Sequence, residues 1–564
     1  HYPLGAWVVA HRRPAGAAPP TRGALLNVAR ALWEATRAEL AALESKAAAV
    51  AFARAGRERF QAQAEGFWAR EGALPGWHAL ALMAQVLLGA QDALDELARY
   101  TTASAMIERY SQEWWKVDRD YRRFRVTLDQ GAGGLDPALK WTSRLYHDYL
   151  AQVNAQFTAQ VTQEGTWPPA GQRVGAAPVW DRTQGHASEP RALVMVDALR
   201  YELAQDLARR LELAPAQVDA QLSPVPSVTA LGMAALLPGW PDFCVDYAED
   251  WVIAPPKTPT PAGSAKPGNL AIKSQRLAWL LGQLGTAAVY DLDQWLSTPF
   301  GELQGQAEWI IVTALDIDAV GEGAGTAALH TFDALLDRLE GAVRRLLAVG
   351  CTEVHVLADH GFLLREAVRE SDKVKVDVAH IGEVLKKRER YLVGRDLPPT
   401  DLPHLPVSGS APEDGLVAWF PRGIGCFVTP GPYNYMHGGI ALQEVVVPHL
   451  RVQQTIAERL VGVALELVGG PEIRNAIFKV RLLPQDVDLL TKPRQVEIDV
   501  VKADRRVSRV WEKRVQREVL GPSLMLEPDY GLQLGDEVRI RVRDATTGEL
   551  LAERAATVQV DLEF

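Results

Sequence analysis

Cysteine is scarce: Cys244, Cys351 and Cys426 are all there is in 564 residues, an odd number with no C-x-x-C pair. That excludes a disulfide framework and a thiolate zinc site. It points to a reducing compartment, the cytoplasm, with each thiol a small apolar filler. No apolar run reaches the length that spans a bilayer, so no membrane segment is read. Charge of one sign is missing too. The net charge is −10, mild for this length, which argues against general coating of nucleic acid. No fixed-period repeat occurs. The chain opens on His1 rather than Met, the mark of a processed, tagged or cut polypeptide.

What is present is an ordinary globular composition, 48% hydrophobic and 23% charged, with length for roughly two to four domains. Residues 1–24 are rich in Pro, Gly and Ala and read as a lead-in. Over 25–165, Leu25, Val28, Leu32 and Leu40 recur at helical spacing, and long Ala/Leu/Glu/Arg stretches with few breakers predict a helical domain. Residues 166–190 turn to Pro and Gly, as a linker does. From 191 to 455 strands alternate with helices. "ALVMVD" (192–197), "WIIVTALDID" (309–318) and "VHVLAD" (354–359) are continuous apolar runs of the kind that parallel strands covered on both faces require. Residues 251–270 read as a mobile loop within that core. From 456 to 564 the period becomes two, with turn signals, which predicts a small antiparallel β-domain.

The apolar runs of the α/β segment end in acids. The first ends at Asp197, the second at Asp316 and Asp318, the third at Asp359 followed by His360 and Gly361. Ligands of open α/β sheets bind at the carboxyl ends of strands. Converging carboxylates repel one another unless a cation joins them, and a mixed Asp/His set suits zinc or a similar divalent metal. A later histidine, His437, precedes two glycines that permit a tight turn. Gly361 has the same reading. Ser227 and Thr229 precede an apolar helical run. Either is a helix cap or, beside a metal, a nucleophilic hydroxyl. "EWWKVDRDYRRFR" (113–125) interleaves Trp and Arg. It reads as an amphipathic helix packing its aromatic face, with nucleic-acid binding the less favoured alternative. His330, His355, His380, His404 and His449 fit no ligand pattern and read as structural.

"VMVDALRYELAQDL", "PSVTALGMAALL", "LDIDAVGE", "LADHGF" and "HGGIALQEVVVP" resemble, in order, the motifs of the PglZ domain, a branch of the alkaline phosphatase superfamily found in BREX phage-defence systems. Residues 112–126 and 149–157 resemble the helical region that precedes that domain. The resemblance implies a mostly parallel α/β core carrying two divalent metals. One is held by Asp197, Thr229, Asp359 and His360. The second is held by Asp318, the residue four positions on, and His437. That middle position is Glu322, where the superfamily has histidine. Its harder oxygen opens the second metal to manganese or magnesium as well as zinc, with Asp316 as a fallback ligand.

The resemblance further implies Thr229 as the nucleophile of a phosphohydrolase that passes through phosphothreonine, with a nucleotide-type phosphodiester favoured as substrate. The basic run 386–395 would contribute to a substrate cap. It implies partners among the other BREX proteins, including a DNA methyltransferase. The rival expectation is a non-catalytic metal-binding scaffold that assembles those components.

Overall fold

The computed structural model describes residues 22–560 apart from 131–133, 177–178, 181–189, 212–215, 256–267, 285, 300–301, 304–306, 432, 454–460, 486–493, 504, 516–518 and 527–531. The chain forms two compact units, His1–Gln454 and Thr455–Phe564.

The first unit begins with helices α1 (Arg22–Ala41), α2 (Lys46–Ala64), α3 (Gly76–Glu96), α4 (Trp115–Asp129) and α5 (Asp136–Glu164). Ser45 starts α2 by accepting the Ala48 N–H at 3.1 Å, and Gly165 ends α5 in the left-handed conformation. The 3.6-residue period places Phe60, Trp77, Met83, Phe124 and Phe157 in one buried core. Trp114 and Trp115 are both buried in it, at the junction of a π-helical turn with α4. The arginines of α4 are paired rather than presented to solvent. Arg122 donates to Glu202 and Asp206, and Arg125 pairs with Glu366. These contacts answer the "WWKVDRDYRRFR" stretch with packing, and they fasten the helices to the α/β core.

The α/β core is a six-stranded sheet of β1 (Arg191–Val196), β2 (Ala216–Leu222), β3 (Ala287–Asp291), β4 (Trp309–Ala314), β5 (Glu353–Ala358) and β6 (Val446–Gln453). Their order is β2-β6-β5-β1-β4-β3. β1, β3, β4 and β5 are parallel, and β6 runs antiparallel to β5 and β2. β1, β4 and β5 are buried along nearly their whole length, which is why they read as unbroken apolar runs. Helices α6 (Tyr201–Arg210), α7 (Thr229–Ala235), α8 (Asp316–Ala324) and α9 (Leu329–Ala348) complete the elements that frame the strand ends.

Several expectations change. The second strand ends at Ala314, and Asp316 and Asp318 lie in the first turn of α8, not along a strand. The alternation of "TALDID" mimics a strand, but acids at a helix start are favoured by the local dipole. Within 251–270, Trp251–Ala254 is a strand paired with Cys244–Tyr247, and 256–267 lie outside the described residues. Cys351 and Cys426 are buried as expected, whereas Cys244 is exposed on that hairpin. In 166–190, Trp167 donates its indole N–H to the Ser223 carbonyl at 3.0 Å, and Val179 is buried.

The second unit has no helix among its described residues and is built of β-strands. One three-stranded sheet runs Gly462–Leu467, Ile477–Gln485, Val519–Met525. A second is built on antiparallel Arg494–Lys502, Glu537–Asp544 and Leu550–Val558. Alternate residues Val496, Ile498, Val500, Ile540 and Val542 fill its core, as a period of two dictates. No helix among the described residues is long and apolar enough to cross a membrane.

Candidate metal centre

Register places the first pair of acids. Val196 of β1 lies opposite Ala314 of β4 and Ala358 of β5. The next residues, Asp197 and Asp359, therefore leave adjacent strands at one level. Ala198 takes a φ of 60°, which turns the chain sharply after Asp197. Its N–H donates to Asp359 Oδ1 at 3.0 Å, and the His360 N–H donates to the same oxygen at 2.8 Å. The other Asp359 oxygen, Oδ2, and Asp197 Oδ1 are buried with no hydrogen-bond partner among the described residues. Each lies 3.5 Å from His360 Nε2.

Helix α7 supplies Thr229 as its first residue, with Val228 rather than Thr229 at the capping position. Thr229 Oγ1 is 3.0 Å from His360 Nε2. Gly232 lets α7 approach, since a Cβ there would lie 2.5 Å from the Asp359 carbonyl oxygen. Ser227, the other candidate hydroxyl, is occupied elsewhere. Its Oγ donates to the Gly439 carbonyl at 2.7 Å and accepts the Gly438 N–H at 3.1 Å, holding the loop after His437.

A second group adjoins the first. His437 and His360 stack with centroids 4.2 Å apart and planes 4° apart. His437 Nε2 is 3.9 Å from Asp318 Oδ1 and 3.9 Å from Glu322 Oε1. Tyr435 donates its hydroxyl to Asp318 at 2.8 Å. Glu322 reaches in from α8 with its side chain 64% exposed, so it is the loosest member. Asp316 is turned away and accepts from Arg338 at 3.3 Å, so the fallback ligand fails: a helix rotates residues two apart onto different faces.

The donor set suits a divalent cation. Asp197, Asp359 and His360 converge within ligand distance of one another, as do Asp318, His360 and His437. His360 faces the Gly361 carbonyl through Nδ1 at 3.0 Å, and His437 faces the Ser227 carbonyl through Nδ1 at 3.3 Å. Those contacts put each ring proton on Nδ1 and leave Nε2 as the donor to a metal. Two buried carboxylate oxygens without partners are costly unless a cation or proton joins them.

The electrostatics carry the same strain. Burial, then the charge of Asp359, pushes the Asp197 carboxyl up to about 8. Burial likewise lifts Asp359 to about 7, against the pull of the Ala198 N–H. Burial lowers His360, and the neighbouring His437 lowers it further. Burial also pulls His437 down, but Glu322, Asp318, the Ser227 carbonyl and Asp197 together raise it to about 9. Contact with His437 holds Glu322 below its usual value.

Residues 184–452 match the family model described as the BREX system PglZ alkaline phosphatase-like domain. That stretch is similar to a PglZ domain. The chain is 27% identical over 493 residues to the alkaline phosphatase-like protein BrxZ of Escherichia coli, covering 78% of this chain and 54% of that protein. It is 28% identical over 372 residues to the alkaline phosphatase-like protein PglZ of Bacillus cereus, covering 61% of this chain and 41% of that protein. The chain thus spans about half the length of these curated relatives. Among solved structures, a phosphonoacetate hydrolase of Sinorhizobium meliloti with phosphonoacetate aligns at TM-score 0.29 and 13% identity, over 47% of this chain and 89% of that one. Human ectonucleotide pyrophosphatase/phosphodiesterase 5 aligns at 0.30 and 10%, over 46% and 87%.

Some members of this site carry little or no mark in the sequence. Tyr435 had a signal, lying two residues before His437 in "YMH". Arg276 had none. It is buried within reach of the charges of Asp359 and Asp197 and donates to the Leu270 carbonyl at 3.1 Å. The run 386–395 divides. Arg390 is fully buried, its guanidinium donating to Glu444 at 2.7 Å and to the Gly423 carbonyl at 3.0 Å, so it faces no substrate. Exposed Arg388 acts on Glu322 through space. Glu444 in turn accepts the Gly439 and Ala441 N–H groups, fixing the His437 loop. Gly361 does not sit at positive φ. It is required by closeness, since a Cβ there would lie 2.1 Å from the Gln443 carbonyl oxygen. Gly438 is the one with φ of 108°. His355 and His449 pair at 3.0 Å in the core, away from these groups.

Proposed function

We propose that this chain is a metal-dependent phosphohydrolase of the PglZ kind acting within a BREX phage-resistance complex, with other BREX proteins, a DNA methyltransferase among them, as partners. The observation that carries the reading is the sharing of His360 by two acid–imidazole clusters, beside a threonine hydroxyl 3.0 Å from its Nε2. Asp197, Thr229, Asp359 and His360 would hold one ion, and Asp318, Glu322 and His437 the other, zinc foremost and manganese or magnesium as alternatives at the second. Bound cations there supply charge neutralisation, a lowered hydroxyl pKa and polarisation of phosphoryl oxygens.

The chain's own residues do the rest. Thr229, half-buried at the start of α7, is presented towards the cluster and attacks phosphorus, forming phosphothreonine and releasing the ester oxygen; water then hydrolyses that intermediate. Asp359 and His360 are held by backbone contacts, so little reorganisation accompanies the reaction. Arg388 offers positive charge at the open side. The preference for a nucleotide-type diester over a monoester comes from the family resemblance.

The exposure of Glu322 favours a second reading, a scaffold whose metal holds shape without turnover. Hydrolysis of bis(p-nitrophenyl) phosphate, read beside metal content for the native chain and Thr229→Ala, separates the two. Turnover abolished in Thr229→Ala with metal retained supports the hydrolase. Metal bound without turnover in the native chain supports the scaffold.

A further inference from the structure

A cavity of about 200 Å³ lies where α4 and α5 meet the α/β core, apart from the acid–imidazole clusters. One water needs roughly 10–15 Å³, so this space admits a larger guest. Six arginines line it: Arg122, Arg125, Arg144, Arg200, Arg365 and Arg369. The lining carboxylates are Asp118 and Glu366. Arg122, Arg125 and Arg365 are matched by acids. Arg144 and Arg369 are exposed at the rim and have no ion-pair partner among the described residues.

The interior is short of acceptors. Arg200 is 5% exposed, and its Nε and Nη2 have no hydrogen-bond partner among the described residues. Its contact with Asp118, at 3.3 Å, lies outside hydrogen-bond geometry. Asp118 is already engaged by the hydroxyls of Tyr110 and Tyr146, each at 2.8 Å, and by Gln443. His147 accepts from Arg365 at its Nε2, 3.4 Å away, which places the ring proton on Nδ1, buried and also without a partner among the described residues. Buried donors of this kind call for an oxyanion. Beside them the lining is aromatic and aliphatic: Tyr121 and Tyr146, which stack on each other at 3.8 Å with planes 12° apart, and Leu329 and Leu364.

We propose that this cavity binds a small phosphate-bearing molecule with a planar ring, a nucleoside monophosphate in its simplest form. The phosphate meets Arg200, His147 and the rim arginines, and the ring lies against the tyrosine pair. Arg200 is three residues beyond Asp197, and its guanidinium lies 5.2 Å over the ring of Phe362, two residues beyond His360. An occupant that orders Arg200 therefore acts on both segments that carry the first acid–imidazole cluster.

The test is calorimetric titration of the full chain in excess chelator with AMP and, separately, inorganic phosphate. The expected result is AMP binding that is at least 10-fold weaker in Arg144→Ala/Arg369→Ala, retained in Arg144→Lys/Arg369→Lys, and unchanged in Asp318→Asn, which lies outside the segments that Arg200 touches. Absence of binding at millimolar AMP overturns the proposal, as does binding indifferent to the double alanine variant or lost in Asp318→Asn. AMP binding no tighter than phosphate overturns the nucleotide assignment.

Discussion

Asp197 and Asp359 leave adjacent parallel strands at the same register level, and each turns one buried oxygen, without a hydrogen-bond partner among the described residues, towards Nε2 of His360, 3.5 Å away. Two carboxylates so placed are stable only with a proton or a cation between them.

Stability without metal should therefore fall as pH rises. Both carboxyls are lifted well above their unfolded values near 4, to about 8 and about 7. Between pH 4 and pH 8 these two carboxyls hold more protons in the folded chain than in the unfolded one, so their contribution to stability falls with each step up in pH, while the lowered His360 and Glu322 act in the opposite sense at lower pH. The raised His437 adds to the fall above pH 6.5. Melting temperature in chelator is predicted to drop from pH 5 to pH 8, and Asp197→Asn to flatten the slope. Added zinc should stabilise more at pH 8 than at pH 5, because its ligands must be deprotonated.

Thr229→Ala should lower phosphodiester hydrolysis by roughly 10³-fold or more while leaving metal content near that of the native chain, the behaviour of a lost nucleophile. Thr229→Ser should retain measurable turnover. Steady-state rates beside elemental analysis check both.

Glu322→His should tighten zinc at the second cluster by about 10-fold or more, because imidazole suits that ion better than an exposed carboxylate. Glu322→Gln should weaken it. Competition with a chromogenic chelator reads the difference.

Tyr435→Phe removes the hydroxyl that orients Asp318. Loss of such an outer contact typically costs about 10–100-fold in metal affinity. The effect should fall on the second cluster and spare the first, which metal titration resolves as a change in one of two phases.

Arg390→Met leaves Glu444 buried and unpaired, and should destabilise the chain by about 3–5 kcal/mol. Replacing both, as Arg390→Met/Glu444→Gln, should recover part of that loss. Chemical denaturation of the two variants checks it.

The parallel core was legible because strands buried on both faces must be apolar throughout, and the acids ending those runs stand out against that background. Register was not legible. Nothing local says that Val196, Ala314 and Ala358 share a level, since pairing between distant strands is set by the whole sheet. The end of the second strand was misread for a related reason: "TALDID" alternates like a strand, and only tertiary packing makes Asp316 start a helix and face Arg338. The burial of Arg390 was hidden because a basic run carries no mark of which member meets a distant Glu444.

Zinc stoichiometry of the native chain, Asp197→Asn, Asp318→Asn and His360→Ala, measured by elemental analysis after gel filtration, tests the shared-histidine site most directly. The prediction is about two ions in the native chain and about one in each aspartate variant and in His360→Ala, whose Nε2 serves the first ion. Full occupancy in His360→Ala, or no bound ion in the native chain, would contradict it.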